Sequence, residues 1–583
     1  MAEVTATKIV VKNHQSDVDQ KIEYARSYLK EALNTYWNKR VKKYSIDWKI
    51  RPVPEGIKFA SLSEEGLIQA NEKGSFLALR SEIEAGFQIG RLYSSLLPPS
   101  FRSEFGVFYT PPCLTQRLLD LAEHAGVQWG RDKILDPACG GGAFLAPIAL
   151  KMKECLIQKS PSEILEIISK HLKGFEIDPF SAWISEVLTE IALIDICVQA
   201  RKRLPSIVEV KDTLDSPANS QYDLVIGNPP YGKVSLPDKA RQRFKGILYG
   251  HANLYALFTD VALQYLKPEG VLAFVTPTSF LAGQYFKNLR KLLHYVAPPM
   301  FIDFISSRDG VFDSVLQETL LAVFYKGRNE KEKVAVNLID VIGSEALKVR
   351  KIGPISLPSY PKSPWMIPRS KSQANILNQL NGNLCTLADY GYKVSTGPLV
   401  WNRHKEGFKP VFTPGYYPVI WAEAVSNAGV FRFKADKTNH EPFFEPSDKE
   451  KWLIRNAPCI LIQRTTSKEQ DNRIIAAILP DEFIEQYSGI IVENHLNMVI
   501  PLNGEPAKVN MNTLRFILSS RTVDEIFRCI SGSVAVSAYE LESIPLPDPD
   551  TLGALENLIN ANASIDMIEQ EIMNLYVKHS TPN

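Results

Sequence analysis

The chain has 583 residues, 45% of them hydrophobic and 22% charged, with 66 basic against 65 acidic side chains and a formal net charge of +1. These fractions exclude disordered, collagen-like and fibrous chains, and the length calls for about three domains. No run of about 18 apolar residues offers a membrane span and the amino terminus lacks the apolar core of a secretory signal, so a cytoplasmic protein with no membrane partner is expected.

The seven cysteines (Cys113, Cys139, Cys155, Cys197, Cys385, Cys459 and Cys529) are scattered, odd in number and free of any CxxC pair. That pattern argues for a reducing compartment and against both a disulfide framework and a zinc site. The nine histidines show no ligand spacing, and no metal is expected. The near-zero net charge hides segregation. Residues 1–51 carry 11 basic against 6 acidic groups, residues 233–251 carry five against one, and 540–577 holds eight acids with no Lys or Arg. Basic segments balanced by an acidic tail are compatible with a polyanion partner.

In chain order, Ile22, Ala25, Leu29, Leu33 and Tyr36 recur at helical spacing and predict an amphipathic helix over 17–43. From about 105 to 327, short apolar strands alternate with helical stretches. The expected strands are Lys133–Leu135, Leu172–Ile177, Ile207–Val210, Leu224–Ile226, Val271–Thr276, Phe301–Ile305 and Leu320–Tyr325. The stretches 143–157, 180–194, 254–266 and 284–295 are expected helices. This alternation predicts a doubly wound, mostly parallel α/β sheet. Five prolines in 351–372 suit neither helix nor central strand and mark a linker. Residues 373–539 mix short strands, turns and aromatic residues without a clear helical period, reading as an irregular α+β domain. Pro545, Pro547 and Pro549 set off a terminal helix over 551–577.

The first strand runs into Asp136-Pro137-Ala138-Cys139-Gly140-Gly141-Gly142, a glycine-rich turn that lets a ligand approach the backbone. It lacks the Gly-Lys-Ser/Thr of a phosphate loop, and Leu145 stands where a dinucleotide fingerprint needs its third small residue. Asp136 suits a ligand carrying a cationic amine. Glu176-Ile177-Asp178 ends the second strand with an acid able to hold both hydroxyls of a ribose, and Lys211-Asp212-Thr213 ends the third with an acceptor for an adenine amine. In this order the three describe S-adenosylmethionine as cofactor, with Asp136, Ala138, Gly140, Gly142, Glu176, Ile177, Asp212 and Thr213 around it.

The fourth strand ends in Asn228-Pro229-Pro230-Tyr231. A base amine is a poor nucleophile because its lone pair is delocalised into the ring. Two rigid acceptors, the Asn228 amide oxygen and the Pro229 carbonyl, can bind both N–H protons and push the nitrogen toward sp³ geometry. The prolines pre-organise the turn, and Tyr231 offers a ring for stacking.

The ordered set Phe108-Tyr109-Thr110-Pro111, Asp136–Gly142, Glu176, Asp212 and Asn228-Pro229-Pro230-Tyr231 resembles the gamma class of DNA adenine-N6 methyltransferases. Matches continue through Asn253-Leu254-Tyr255, residues 266–271 and Val275-Thr276-Pro277. The resemblance implies a Rossmann-like methyltransferase sheet with an antiparallel last strand, followed by a carboxyl-terminal target-recognition domain. It implies that Tyr109 and Thr110 close over the methionine part of the cofactor. Asn228 stands beside the cofactor as well as in the catalytic tetrapeptide, and Phe312 would hold the flipped adenine together with Tyr231. The implied division is a helical extension over 1–104, a catalytic domain over 105–350, a linker over 351–372, a recognition domain over 373–550 and a terminal helix over 551–583.

The implied partner is double-stranded DNA, with Lys233, Lys239, Arg241 and Arg243 beside the tetrapeptide and Trp401, Arg403, Lys405 and Arg464 in the recognition domain as candidate contacts. A separately encoded restriction endonuclease is the further partner of such a system, and the chain is expected to act as a monomer. The same tetrapeptide also serves enzymes that methylate a protein glutamine or an RNA guanine, and an N4-cytosine activity is a further alternative. A modification subunit serving as the DNA-binding component of a larger complex is another. No Pro-Asp…Glu-x-Lys nuclease site is evident in the first hundred residues.

Overall fold

The computed structural model describes residues 2–99, 101–102, 110–216, 219–306, 318–329, 331–343, 346–380, 384–466, 470, 472–502, 507–530 and 535–577. The chain divides into two compact units, Met1–Thr278 with Asn288–Lys351, and Ser279–Lys287 with Ile352–Asn583.

The first unit begins with three helices, α1 (Ala2–Lys42), α2 (Glu64–Leu77) and α3 (Glu82–Leu96). Ser63 and Ser81 cap α2 and α3 by accepting from the backbone N–H groups of Gly66 and Glu84. Then follow α4 (Pro112–His124), β1 (Ile134–Asp136), α5 (Leu145–Cys155), α6 (Pro161–His171), β2 (Leu172–Glu176), α7 (Pro179–Ala192), α8 (Ile194–Ala200) and β3 (Val208–Val210). The unit continues with β4 (Tyr222–Gly227), β5 (Lys233–Val234), α9 (Asp238–Arg243), β6 (Ala252–Asn253), α10 (Leu254–Tyr265), β7 (Leu266–Pro277), α11 (Lys287–Val296), β8 (Pro299–Ile305), β9 (Thr319–Tyr325), β10 (Val334–Ile342) and β11 (Ala346–Ile355). Each of the seven expected strands is present, within a few residues of its expected limits.

Nine strands form one sheet in the order β11-β10-β8-β9-β7-β4-β1-β2-β3. The pairs β1/β2, β1/β4, β2/β3, β4/β7 and β8/β10 are parallel, whereas β9 is antiparallel to both β7 and β8. The antiparallel strand is therefore inside the sheet, and β10 and β11, which were not expected, extend the edge beyond β8. The sheet is covered on both faces. Leu224, Ile226, Val271 and Ala273 join one cluster with residues of α4, α5 and α6, while the alternate residues Val225, Leu272 and Phe274 are buried as well. This is why the central strands are continuous apolar runs rather than alternating ones. A second cluster packs Ile22, Leu29, Leu33, Tyr36 and Trp37 of α1 with Phe180, Trp183, Ile184 and Val187 of α7.

The second unit contains α12 (Lys371–Gln379) and two sheets. The first sheet has the order β12-β20-β17-β18, from Tyr392–Thr396, Leu496–Pro501, Cys459–Gln463 and Ala476–Leu479. The other is β13-β15-β14-β19-β16, from Phe408–Lys409, Phe443–Phe444, Tyr417–Ile420, Ile490–Val492 and Ile454–Arg455. Between β18 and β19 lies α13 (Asp481–Tyr487). Two helices, α14 (Met511–Leu518) and α15 (Arg521–Ile530), occupy a region read without helical period. Their buried stripes, Leu514, Ile517 and Leu518 on one and Val523, Ile526, Phe527 and Ile530 on the other, are each too short to stand out in a long window. The proline-rich stretch is packed, with Trp365 and Ile367 buried and their backbone N–H groups bonded to Leu281 and Cys529 carbonyls at 2.7 and 2.9 Å. After α16 (Ala538–Glu542), the expected single terminal helix is two, α17 (Gly553–Asn560) and α18 (Ile565–Tyr576). Asn562 breaks it with φ of 50°, and Ser564 caps the next helix. Among the described residues no helix is long and apolar enough to cross a membrane.

Candidate active site

The connections leaving β1 toward β2 and β3, and the return to β4 on the opposite side of β1, create a switch point at the carboxyl ends of these strands. A cavity of about 300 Å³ opens there. Its lining includes Thr110, Asp136, Ala138, Gly140, Glu176, Ile177, Asp212, Thr213 and Asn228, so five separate chain segments deliver the expected residues to one place.

The glycine turn is fixed by its own hydrogen bonds. Cys139 N–H donates to the Phe175 carbonyl at 3.0 Å, and Gly142 N–H donates to the Cys139 carbonyl at 2.8 Å. Gly140 and Gly142 have φ of 50° and 83°, the left-handed region that a side chain resists. A Cβ on Gly140 would meet nothing within 4 Å, whereas one on Gly142 would lie 3.1 Å from Ser185. Gly142 thus packs on α7 and is not part of the lining. Thr213 Oγ1 donates to the Pro137 carbonyl at 2.5 Å, tying the β3 loop to the glycine turn. Asp212 is exposed and accepts from Leu214 N–H at 2.8 Å.

Two carboxyl groups dominate the cavity. Asp136 is 1% exposed and accepts from Ala138 N–H at 3.1 Å. Glu176 accepts from Gly140 N–H and Asp178 N–H, both at 2.9 Å. Burial pushes Asp136 up to about 8, against the pull of the Ala138 amide and with the help of nearby Glu176. Burial likewise pushes Glu176 up to about 7, against the Asp178 and Gly140 amides. Among the described residues neither has an ion-pair partner. Lys211 lines the cavity, but its Nζ lies 3.4 Å from the Phe175 ring centroid and 2.9 Å from Glu209. A pocket with two uncompensated acids, exposed backbone and the half-exposed apolar side chain of Ile177 fits a ligand that is cationic, hydroxylated and partly aromatic.

At the end of β4, Asn228 Nδ2 donates to Thr110 Oγ1 at 3.2 Å and Asn228 Oδ1 accepts from the Tyr231 hydroxyl at 2.6 Å. The Tyr231 ring meets that of Tyr255 edge-on, with centroids 6.3 Å apart. Asn228 and Pro230 line the cavity and Pro229 is buried beneath them. Tyr109 and Phe312 lie outside the described residues.

Lys233 is exposed on β5, and Lys239, Arg241 and Arg243 are exposed on α9. Arg241 donates to the Gly250 carbonyl at 3.1 Å, and Arg243 to the carbonyls of Leu214 and Ser216. In the second unit, Arg403 and Lys405 are exposed and the Lys405 ammonium lies 5.7 Å from the Trp401 ring centroid. Arg464 is half-buried and donates to the Asn494 carbonyl at 3.0 Å.

Residues 168–312 match the family model of the Eco57I restriction-modification methylase. The type II methyltransferase M.PstI of Providencia stuartii is 26% identical over 482 residues, which cover 80% of this chain and 92% of that protein. The chain is similar to type II restriction-modification methyltransferases. M.BsuBI of Bacillus subtilis is 25% identical over 488 residues, covering 81% and 94% of the two chains. The fold is shared with the Type IIL restriction-modification enzyme MmeI in complex with DNA, at a TM-score of 0.54 and 14% identity, over 94% of this chain and 86% of that one. Sequence reading missed Ser181, Leu214, Leu254 and Phe258 in the cavity wall. Leu254 was within reach, since Asn253-Leu254-Tyr255 belongs to the matched motif set. Phe258 follows one helical turn later on α10.

Proposed function

We propose that the chain is a site-specific DNA methyltransferase that moves a methyl group from S-adenosylmethionine to N6 of an adenine flipped out of duplex DNA. The observation that carries this reading is the anchoring of the Asn228 amide, between Thr110 and Tyr231, at the mouth of a cavity built around Asp136 and Glu176.

S-adenosylmethionine is the cofactor, and when bound it supplies a methyl group activated by a sulfonium. Asp136 faces the cationic methionine end, with Thr110 and Tyr109 closing over it. Glu176 receives the ribose hydroxyls through a carboxylate already oriented by two backbone amides. Asp212 and Thr213 border the adenine, and Ile177 provides apolar surface for its ring. Gly140 leaves room for the ligand and Gly142 seats the turn on α7.

The target amine is buried in a duplex, so the base is extruded at a cost of about a few kcal/mol. Stacking on Tyr231 and Phe312 returns about 1–3 kcal/mol per contact. Asn228 Oδ1 and the Pro229 carbonyl then hold the two amine protons, which localises the nitrogen lone pair and orients it for transfer. No base is needed beforehand, because the nitrogen sheds its proton readily after alkylation. Lys233, Lys239, Arg241 and Arg243 contact DNA phosphate beside the site, and Trp401, Arg403, Lys405 and Arg464 belong to the surface that reads sequence. Modification by this chain protects host sites from a separately encoded nuclease.

The test is Asn228→Ala, expected to bind S-adenosylmethionine as the parent does while losing adenine methylation in cellular DNA read by modification-sensitive sequencing. Methylation of cytosine N4 instead, or substantial turnover by Asn228→Ala, would overturn the reading.

A further inference from the structure

The helical layer before residue 105 takes no part in the chemistry above, yet polar links join it to α7 and its cap: Arg51 pairs with Glu186 and Glu190 toward the far end of that helix, and a second link lies at its start. Arg26 of α1 donates from Nη2 to Asp178 Oδ1 at 3.2 Å. Around it Ala25, Leu29 and Leu33 are fully buried, as are Phe180 and Ile184 opposite them. Asp178 is 7% exposed and is the cap of α7, with Oδ2 accepting from Ser181 N–H at 3.1 Å and Ser181 Oγ at 2.8 Å. Its Oδ1 also takes the Phe180 N–H at 3.4 Å. A side chain fixed at this many points fixes its own backbone, and the Asp178 N–H is the group aimed at Glu176 Oε1. Ser181, held by the same carboxylate, lines the cavity.

We propose that Arg26 is a positioning residue for the cofactor site: it grips Asp178, and through the Asp178 amide it sets the Glu176 carboxylate. The inference rests on the cofactor reading above and gives the amino-terminal layer a role in it. The physical reason is the cost of a buried anion. Asp178 is enclosed, and Arg26 is the guanidinium that neutralises it. Without that cation the enclosed Asp178 carboxylate loses its charged partner, and a turn toward water would redirect the backbone that presents its N–H to Glu176. Glu176 would then lose the Asp178 amide from Oε1 while Oε2 keeps that of Gly140, so its carboxylate would be less firmly oriented.

A plain interface ion pair would lower stability without any particular effect on the cofactor, so the test separates the two. S-adenosylmethionine binding to the full chain is measured by calorimetry for wild type, Arg26→Gln, Arg26→Lys and Leu29→Ala, alongside thermal melts. Arg26→Met serves the same comparison if Arg26→Gln is too unstable to purify. Arg26→Gln is expected to weaken binding about tenfold or more, as loss of an orienting partner does. Arg26→Lys should stay within about threefold, since it keeps the charge but not the planar fork. Leu29→Ala, which opens a cavity in the same interface, should lower the Tm at least as much while binding within about twofold of wild type. At saturating cofactor the Arg26→Gln turnover should stay within about twofold, placing the loss in KM rather than kcat. Wild-type-like binding by Arg26→Gln overturns the proposal, and so does an equal loss of binding in Leu29→Ala. A wild-type chain that binds no S-adenosylmethionine overturns the cofactor reading and this inference with it.

Discussion

The hydroxyl of Tyr231 donates to Oδ1 of Asn228 at 2.6 Å, the very atom proposed to receive the substrate amine. Nδ2 of the same amide is bonded to Thr110, so swinging away from the phenol would break that bond too. An incoming adenine must displace the Tyr231 hydroxyl or share Oδ1 through its second lone pair. On the proposed mechanism the ring and the hydroxyl of Tyr231 are expected to have opposite effects on the reaction.

Tyr231→Phe keeps the stacking surface and frees Oδ1. Its single-turnover methylation rate should equal the parent's or exceed it by up to about threefold, whereas Tyr231→Ala should lose about 10–100-fold through the missing stack. A Tyr231→Phe variant as slow as Tyr231→Ala would show that the hydroxyl assists transfer.

The two cavity acids predict opposite pH responses of stability and binding. Asp136 and Glu176 rise from 3.8 and 4.5 to about 8 and about 7, chiefly by burial. An acid raised in the folded state keeps a proton that the unfolded chain has already lost. The resulting stability is fully present below the unfolded values and is lost as pH rises through the folded ones. Without cofactor, the Tm should fall between about pH 5 and 8.5, and Asp136→Asn should flatten that slope. On the proposed roles of Asp136 and Glu176 binding uses their ionised forms, so the Kd for S-adenosylmethionine should tighten over the upper part of the same range. Both follow from thermal melts and calorimetry across pH.

Gly227 ends β4 directly beside Asp136. A Cβ there would lie 2.6 Å from Asp136 Oδ1 and 3.2 Å from its Cγ. Asp136 has no room to retreat, being buried on the neighbouring strand and bonded to Ala138. Gly227→Ala should cost about 1–3 kcal/mol of stability through overpacking. It should also weaken cofactor binding more than its Tm loss explains, because the displaced group is Asp136 itself.

The basic segment after the tetrapeptide can be divided by salt titration. Lys239 is exposed, and a phosphate contact by it would contribute about 0.9 to the slope of log affinity against log salt. Lys239→Gln should reduce the slope by that amount with little change in cofactor binding. Arg243 has two nitrogens on the carbonyls of Leu214 and Ser216, just beyond Asp212 and Thr213. Arg243→Gln should therefore weaken S-adenosylmethionine binding as well, and that second effect distinguishes the two positions.

Strands β1, β2, β4 and β7 to β9 were legible because each is a largely buried apolar run, and β3, though exposed, because the acid-bearing loop after it marked its end. Asn228 was legible because a rigid polar turn directly follows one of those runs. What sequence does not carry is pairing at a distance. Thr110 and Asn228 lie 118 residues apart, and neither residue type suggests the other. The same holds for Arg26 and Asp178, where a lone arginine on an apolar helix face reads as an ordinary edge charge. β10 and β11 escaped for a different reason. The resemblance used to order the sheet accounts for strands only as far as β9, so Val334–Ile342 had no place to go. In the second unit the short strands β13, β15 and β16, of two residues each, fall below any periodic signal.

The pairing of α1 with α7 also sets an order of events during synthesis. Arg26 and Asp178 are 152 residues apart, so at about 5–20 residues per second the apolar stripe of α1 waits roughly 8–30 s for its partner. For that interval Leu29, Leu33, Tyr36 and Trp37 have α2 and α3 to pack with, but nothing from α7. When α7 emerges, it covers the stripe and closes the turn that carries Glu176 in one step. The cavity itself is complete only later, once Asn228, Leu254 and Phe258 have been made as well.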